Sequence, residues 1–160
     1  MSDIAQEAQQ ILGAILSLMG LEASVASSAG EDGRIFLVIE SDISTHPITI
    51  GRYGSTLDAL QVVVTAILSN KKKASVPVVV DIGGYRKRRE ESLKNIASSA
   101  ADDAIDKNRP VHLDPMPPTE RRVIHMAAAS DERVSTRSEG EGHDRHIVIF
   151  PKGFQEGSLS

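Results

Sequence analysis

Two glycines three residues apart enclose an arginine in Gly51-Arg52-Tyr53-Gly54, directly ahead of apolar residues at helical spacing. Glycine turns tightly with no Cβ in the way, so a ligand can approach the backbone while the N–H groups opening the next helix point outward. Arg52 adds a full positive charge beside those donors, and the chemistry such a group suits is a grip on phosphate. The plainer reading is a helix start, with Ser55 or Thr56 accepting backbone N–H bonds as a cap. A second basic group, Arg86-Lys87-Arg88-Arg89, stands where another helix is expected to open. Cations there oppose the helix dipole at a cost of about a few tenths of a kcal/mol each. Glu90 and Glu91 offset only part of this, so an external anion is expected to explain the cluster better than helix stability does. Further on, Arg121 and His125 lie one helical turn apart and should project from one face.

Catalytic chemistry has weaker support. His143, Asp144 and His146 could be drawn as a metal site and His125 as the general base of a nuclease. However, His143 and Asp144 read as turn residues, and neither a carboxylate cluster nor a zinc-binding helical spacing accompanies them. His46 and His112 have no partner that the sequence identifies. With no cysteine in the chain, a disulfide framework, a thiolate metal site and a cysteine nucleophile are all excluded. The expectation is a binding protein with no catalytic residue, no metal and no cofactor.

Charge is distributed unevenly. Residues 1–50 carry one basic and seven acidic side chains, residues 51–94 nine and four, and residues 95–160 eight and eleven, within a net charge of −4. The positive charge therefore gathers around the Gly-x-x-Gly turn, where attraction to phosphate would need it. Aromatics make up only 3% of the chain, so affinity for a single strand should come from charge, backbone contacts and glycine geometry more than from base stacking. The apolar run from Ile11 to Met19 is too short for a membrane span and follows Asp3 and Glu7, where a signal peptide would be basic. A cytoplasmic location without membrane insertion is expected.

The elements that must position these groups follow from periodicity. Ile4, Ala8, Ile11, Leu12, Ile15, Leu18 and Met19 predict a helix over residues 3–19 closed by Gly20. Strands are expected near residues 22–27 and 34–39, joined by a turn over Gly30-Glu31-Asp32-Gly33. A short helix over 42–50, weakened by Pro47, feeds the Gly-x-x-Gly turn. Leu57, Leu60, Val64, Ile67 and Leu68 mark the next helix, which ends near Asn70 with Lys71, Lys72 and Lys73 at its C-terminus, and residues 76–82 read as a third strand. A long helix over 85–107, with Leu93, Ile96, Ala100, Ala104 and Ile105 inward, precedes the Pro115-Met116-Pro117-Pro118 boundary. A helix from Thr119 to about Ala129 and two strands around a glycine-containing loop complete the chain.

The order helix, strand, strand, helix, helix, strand is that of a type II KH domain, whose Gly-x-x-Gly turn clamps a few backbone nucleotides. The Arg121-xxx-His125 pair, followed by Ser138-Glu139-Gly140-Glu141-Gly142-xx-Arg145, resembles the R-three-H domain, a module known for binding single-stranded nucleic acid. Taken with the stretches 50–61 and 81–90, nearly the whole chain is similar to the bacterial Jag family of SpoIIIJ-associated proteins. The resemblance implies an α+β chain, with a three-stranded type II KH domain over residues 1–83, a connecting helix over 84–110, an R-three-H domain over 111–153 and a tail over 154–160. It also implies a cytoplasmic RNA-binding protein linked to cell-envelope growth. Many members carry an additional N-terminal domain with no counterpart in this sequence, and Tyr53 stands where a small or basic residue is frequent.

The expected nucleic-acid-binding residues are thus Gly51, Arg52, Tyr53, Gly54, Arg86, Lys87, Arg88, Arg89, Arg121, His125 and Arg145. The expected partner is single-stranded RNA, with single-stranded DNA as an alternative because these residues read phosphate and not the 2′-hydroxyl. The acidic N-terminal segment could instead face a protein, either a second KH protein or another copy of this chain.

Overall fold

The computed structural model describes residues 2–154, so residues 155–160 of the expected tail lie outside the described part. The chain divides into two compact units, Met1–Arg86 and Lys87–Ser160.

In the first unit, helix α1 (Ser2–Leu18) is followed by strands β1 (Ala23–Ala29) and β2 (Ile35–Ser41), helices α2 (His46–Ile50) and α3 (Ser55–Lys72), and strand β3 (Val78–Ile82). The expected αββααβ order of a type II KH domain is therefore present. The strands form one sheet in the order β1-β2-β3. β1 and β2 pair antiparallel through the tight turn expected at Gly30–Gly33, whereas β2 and β3 pair parallel. A parallel pair needs a crossover connection, which α2 and α3 supply. Pro47 does not break α2, because it falls in the first turn, where its missing N–H has no helical partner to lose.

Alternation in β2 and β3 turns Ile35, Leu37, Ile39, Val78, Val80 and Ile82 inward against Leu12, Leu16, Leu57, Val64 and Leu68. The apolar stripe of α1 differs from its expected line. Ala5, Ala8, Leu12 and Leu16 are buried, while Leu18 is 89% exposed and Met19 is also exposed. A straight helix turns 100° per residue, so Leu16 continues the face of Leu12 and Leu18 falls on the far side. Ile67 of α3, also expected inward, is 38% exposed, at the margin of the stripe beside the buried Leu68. Lys71 and Lys72, at the end of α3, both reach Glu7 of α1 and hold its carboxyl below the usual carboxylate range. Part of that basic run is thereby a clasp between two helices.

The long helix α4 (Tyr85–Lys107) begins at the end of the first unit, and its buried residues belong to the second unit's core. Strand β4 (Val111–His112), helix α5 (Pro118–Ala129) and strands β5 (Val134–Glu139) and β6 (His146–Pro151) follow. Their sheet has the order β4-β6-β5 and is antiparallel throughout. The helix expected to connect two domains thus places Leu93, Ala97, Ala100, Ala101 and Ala104 in the core with Ile124, Ala128, Ile147 and Ile149. Ile96, expected inward, is 37% exposed, and Ile105 lies at the periphery of the cluster. The two-residue strand β4 had no counterpart among the expected elements, because two residues are too few to show a period. Among the described residues, no helix is long and apolar enough to cross a membrane.

The turn between α5 and β5 is tied by Asp131. Its carboxylate accepts bonds from the Arg133 backbone N–H, from Arg133 Nε at 3.0 Å and from a terminal guanidinium nitrogen at 2.8 Å. The Arg133 side-chain and backbone bonds hold the Asp131 carboxyl down to about 2. A folded value below the unfolded one means the contribution is present above the unfolded value and is lost as pH falls from about 4 toward 2. Carboxyl-carbon NMR titration should therefore place the Asp131 midpoint near 2, and Arg133→Ala should raise it toward the ordinary aspartate range while the backbone N–H at position 133 still holds it below.

Candidate nucleic-acid interface

The Gly-x-x-Gly turn falls between α2 and α3, as a single 3₁₀ turn over Arg52–Gly54. Gly51 (φ 72°, ψ 178°) and Gly54 (φ 78°, ψ 13°) both have positive φ. A Cβ on Gly51 would collide with the Thr56 hydroxyl and lie 2.8 Å from the Thr56 backbone nitrogen, so the chain folds back onto the start of α3. A Cβ on Gly54 would come within 3.1 Å of the Tyr85 ring. Between them Tyr53 also adopts left-handed geometry (φ 56°, ψ 30°). That conformation costs a residue with a Cβ about 1–2 kcal/mol, and such strain gathers at ligand clamps and active sites. The Arg52 guanidinium lies 5.1 Å from the Tyr53 ring centroid, a cation–π distance, and remains exposed.

The capping alternative is not what the structure adopts. Gly54 occupies the cap position of α3 and has no side chain to offer, while Ser55 is already the first helical residue. The opening N–H groups of α3 are thus without a side-chain cap beside an exposed arginine, an arrangement able to bind an anion through backbone donors and charge.

The Arg86 to Arg89 cluster divides by role. Arg86 donates through Nε to the Val80 carbonyl at 2.8 Å, bonds Gln61 at 3.2 Å and pairs with Asp58 at 2.9 Å. Its backbone N–H is accepted by Asp81. Arg89 meets the buried Glu120 through two parallel bonds of 2.8 Å. Two of the four cations therefore have internal reasons for their position, and the argument that an external anion is needed to explain the cluster does not hold for them. The side chains that their guanidinium groups meet, Gln61, Asp58 and Glu120, are 25 to 31 residues away, beyond the reach of a local reading. Lys87 and Arg88 are exposed.

In the second unit, Arg121 and His125 share a face of α5 as expected. The Arg121 guanidinium donates to the Met116 carbonyl at 2.7 Å, which fastens the chain ahead of α5, and is half-buried. His125 is exposed and hydrogen-bonds through Nδ1 to the Thr136 hydroxyl on β5. Arg145 Nε donates to Ser138 at 2.9 Å, closing the loop between β5 and β6. Arg137, absent from the expected set, stacks over Phe150 at 4.8 Å and pairs with Glu139. Its period-two position on the open sheet face is the signal that could have found it.

The metal group drawn from His143, Asp144 and His146 does not form. His143 is exposed in the 3₁₀ turn Gly142–Asp144, and Asp144 contributes only its backbone carbonyl to His146. His146 instead lies beside His112, with Nδ1 of His112 3.1 Å from Nε2 of His146, and across from Glu139. The Arg137 guanidinium, and with smaller effect His112 and His146, hold the Glu139 carboxyl below the usual carboxylate range.

Comparison with known proteins agrees with this architecture. The R-three-H domain family matches residues 91–151, a span that starts inside α4 and runs to the end of β6. A protein named RNA-binding protein KhpB from Clostridium symbiosum is 41% identical over 105 residues, covering 66% of this chain and 47% of that protein. Proteins of the same name from Lactiplantibacillus plantarum and Bacillus subtilis are each 35% identical. These alignments cover 73% and 66% of this chain, and 36% and 51% of those proteins. The chain thus spans about half the length, or less, of the curated relatives it matches. With an αββααβ unit carrying its Gly-x-x-Gly turn ahead of an R-three-H match, and with these relatives alongside, the chain belongs to the bacterial Jag family, which includes the KhpB proteins.

Proposed function

We propose that this chain binds single-stranded RNA, holding the backbone at the Gly51–Gly54 turn and at the Arg121 and His125 surface of its R-three-H portion. The observation that carries the reading is the uncapped start of α3 behind a strained glycine turn with exposed Arg52, in a chain whose relatives are named RNA-binding proteins. A strand phosphate would accept from the opening N–H groups of α3 and pair with Arg52. Lys87 and Arg88, both exposed, belong to this reading, whereas Arg86 and Arg89 are held by Asp58 and Glu120. The activity is binding, with no catalytic step. The family resemblance further supports a cytoplasmic regulator of RNA linked to cell-envelope growth; pairing with a second KH protein or another copy of this chain belongs to the alternative, adaptor reading.

Two weak sites on one chain bind a strand that reaches both more tightly than either site alone, because the second contact becomes intramolecular. Fluorescence anisotropy with single-stranded RNAs of increasing length should therefore show affinity rising with length. It should fall with salt at a logarithmic slope of about −0.7 per phosphate neutralised. Arg121→Ala combined with His125→Ala is expected to remove the gain from length and leave short-RNA binding unchanged. Absence of binding by the folded wild-type chain would overturn the reading and leave a protein-interaction role in front. Matched DNA strands in the same assay decide between the two nucleic acids.

A further inference from the structure

We propose that His112, Glu139 and His146 form a binding site for a first-row divalent metal ion of the zinc class. One ligand atom from each of the three residues lies within 4.8 Å of the others. The sheet register brings them together. Glu139 on β5 is directly opposite His146 on the central strand β6, and His112 on β4 pairs with Val148, two residues along β6 from His146. Side chains two apart on a strand share a face, so all three stand on the same side of the sheet. That side is opposite Ile147 and Ile149, which pack into the helical core.

The histidine chemistry points to a ligand pair. His146 Nδ1 lies 2.8 Å from the Asp144 carbonyl, which can only accept, so Nδ1 carries the proton and Nε2 presents a lone pair. A ring nitrogen hydrogen-bonded to a carbonyl, with the other left unprotonated, is the usual state of a metal-bound histidine. That lone pair accepts a hydrogen bond from His112 Nδ1 at 3.1 Å. A metal would take the place of this proton, which neutral His112 can carry on Nε2 instead, and the spacing is near the separation of about 3.3 Å that two nitrogens adopt on a tetrahedral zinc ion. Glu139 brings a negative charge to the same place. Arg137 binds its Oε1 and leaves Oε2 to the metal, fixing the carboxylate as an outer-shell partner would. Two imidazoles and a carboxylate suit zinc, and also cobalt, nickel or copper, far better than magnesium or calcium, which take oxygen ligands. Three protein ligands leave a fourth position to water.

The test uses the full chain without an affinity tag, stripped with a chelator and titrated with ZnCl2 by calorimetry. CoCl2 serves as a spectroscopic probe, since tetrahedral cobalt gives intense visible bands. One equivalent of zinc is expected, with MgCl2 producing no heat. His112→Ala and His146→Ala should each weaken zinc binding at least about tenfold and abolish the cobalt bands. Glu139→Gln should weaken binding less, and His143→Ala should leave it within about twofold. His112 is exposed on a two-residue strand, so its variant decides the matter should His146→Ala fail to fold by circular dichroism. No zinc uptake by the wild type, or equal losses from His143→Ala and His112→Ala, overturns the assignment.

Discussion

Replacing Gly51 and Gly54 together by aspartate is expected to raise the dissociation constant for single-stranded RNA about 100-fold at low salt. Charge-assisted hydrogen bonds are each worth about 1.5–3 kcal/mol, and about 1.4 kcal/mol is tenfold in affinity. Losing two phosphate contacts at the start of α3 therefore accounts for that factor, before the repulsion from two added carboxylates is counted. Positive φ at both positions and the contacts awaiting a Cβ mean that the turn itself will shift. Arg52→Glu, which leaves both glycines in place, separates charge from geometry. It should cost at least tenfold and make the salt slope shallower by about 0.7. Circular dichroism would confirm that each variant is folded, and binding within threefold of wild type by both would remove the clamp from the proposal.

The second large effect concerns stability. Glu120 has 8% of its side chain exposed and Arg89 27%, and they meet through a two-bond fork. Removing one partner of a buried pair leaves an uncompensated charge and costs about 3–5 kcal/mol. The partial exposure of Arg89 places Glu120→Ala toward the lower end, at about 3 kcal/mol. Replacing both residues with apolar ones of similar size, Arg89→Met with Glu120→Leu, should be milder than either single removal. Chemical denaturation followed by NMR signals of residues in each unit would show the loss in the second unit, with the first unit little changed. An equal or greater loss in the double variant would show that the pair stabilises the unit outright and does not merely satisfy its own buried charges.

The two predictions concern residues that are alike in sequence and different in role. Arg52 and Arg89 both lie in basic, glycine-adjacent stretches, and composition gives no means to separate them. The Gly-x-x-Gly turn was legible because its features are local: glycine content, an adjacent cation and the apolar spacing of α3. The fork of Arg89 was not, because Glu120 reaches it from 31 positions away. Similarly, the burial line of α1 ran through Leu16 and not Leu18, a choice that the packing of β1 and β2 against the helix imposes and that an apolar spacing only approximates.

The sequence by itself determined the order of the elements, the αββααβ plan, the position of the Gly-x-x-Gly turn and the Arg121 and His125 face. Each of these depends on periodicity or backbone freedom within a dozen or so residues, where side-chain spacing and glycine placement act directly. Only the tertiary structure decided which cations are held inside the protein and which histidines meet. Arg86 finds Asp58 and Gln61 across 25 to 28 positions, and His112 finds His146 across 34. Such partners are set by strand register and helix packing, which bring together side chains whose separation along the chain carries no periodic signal.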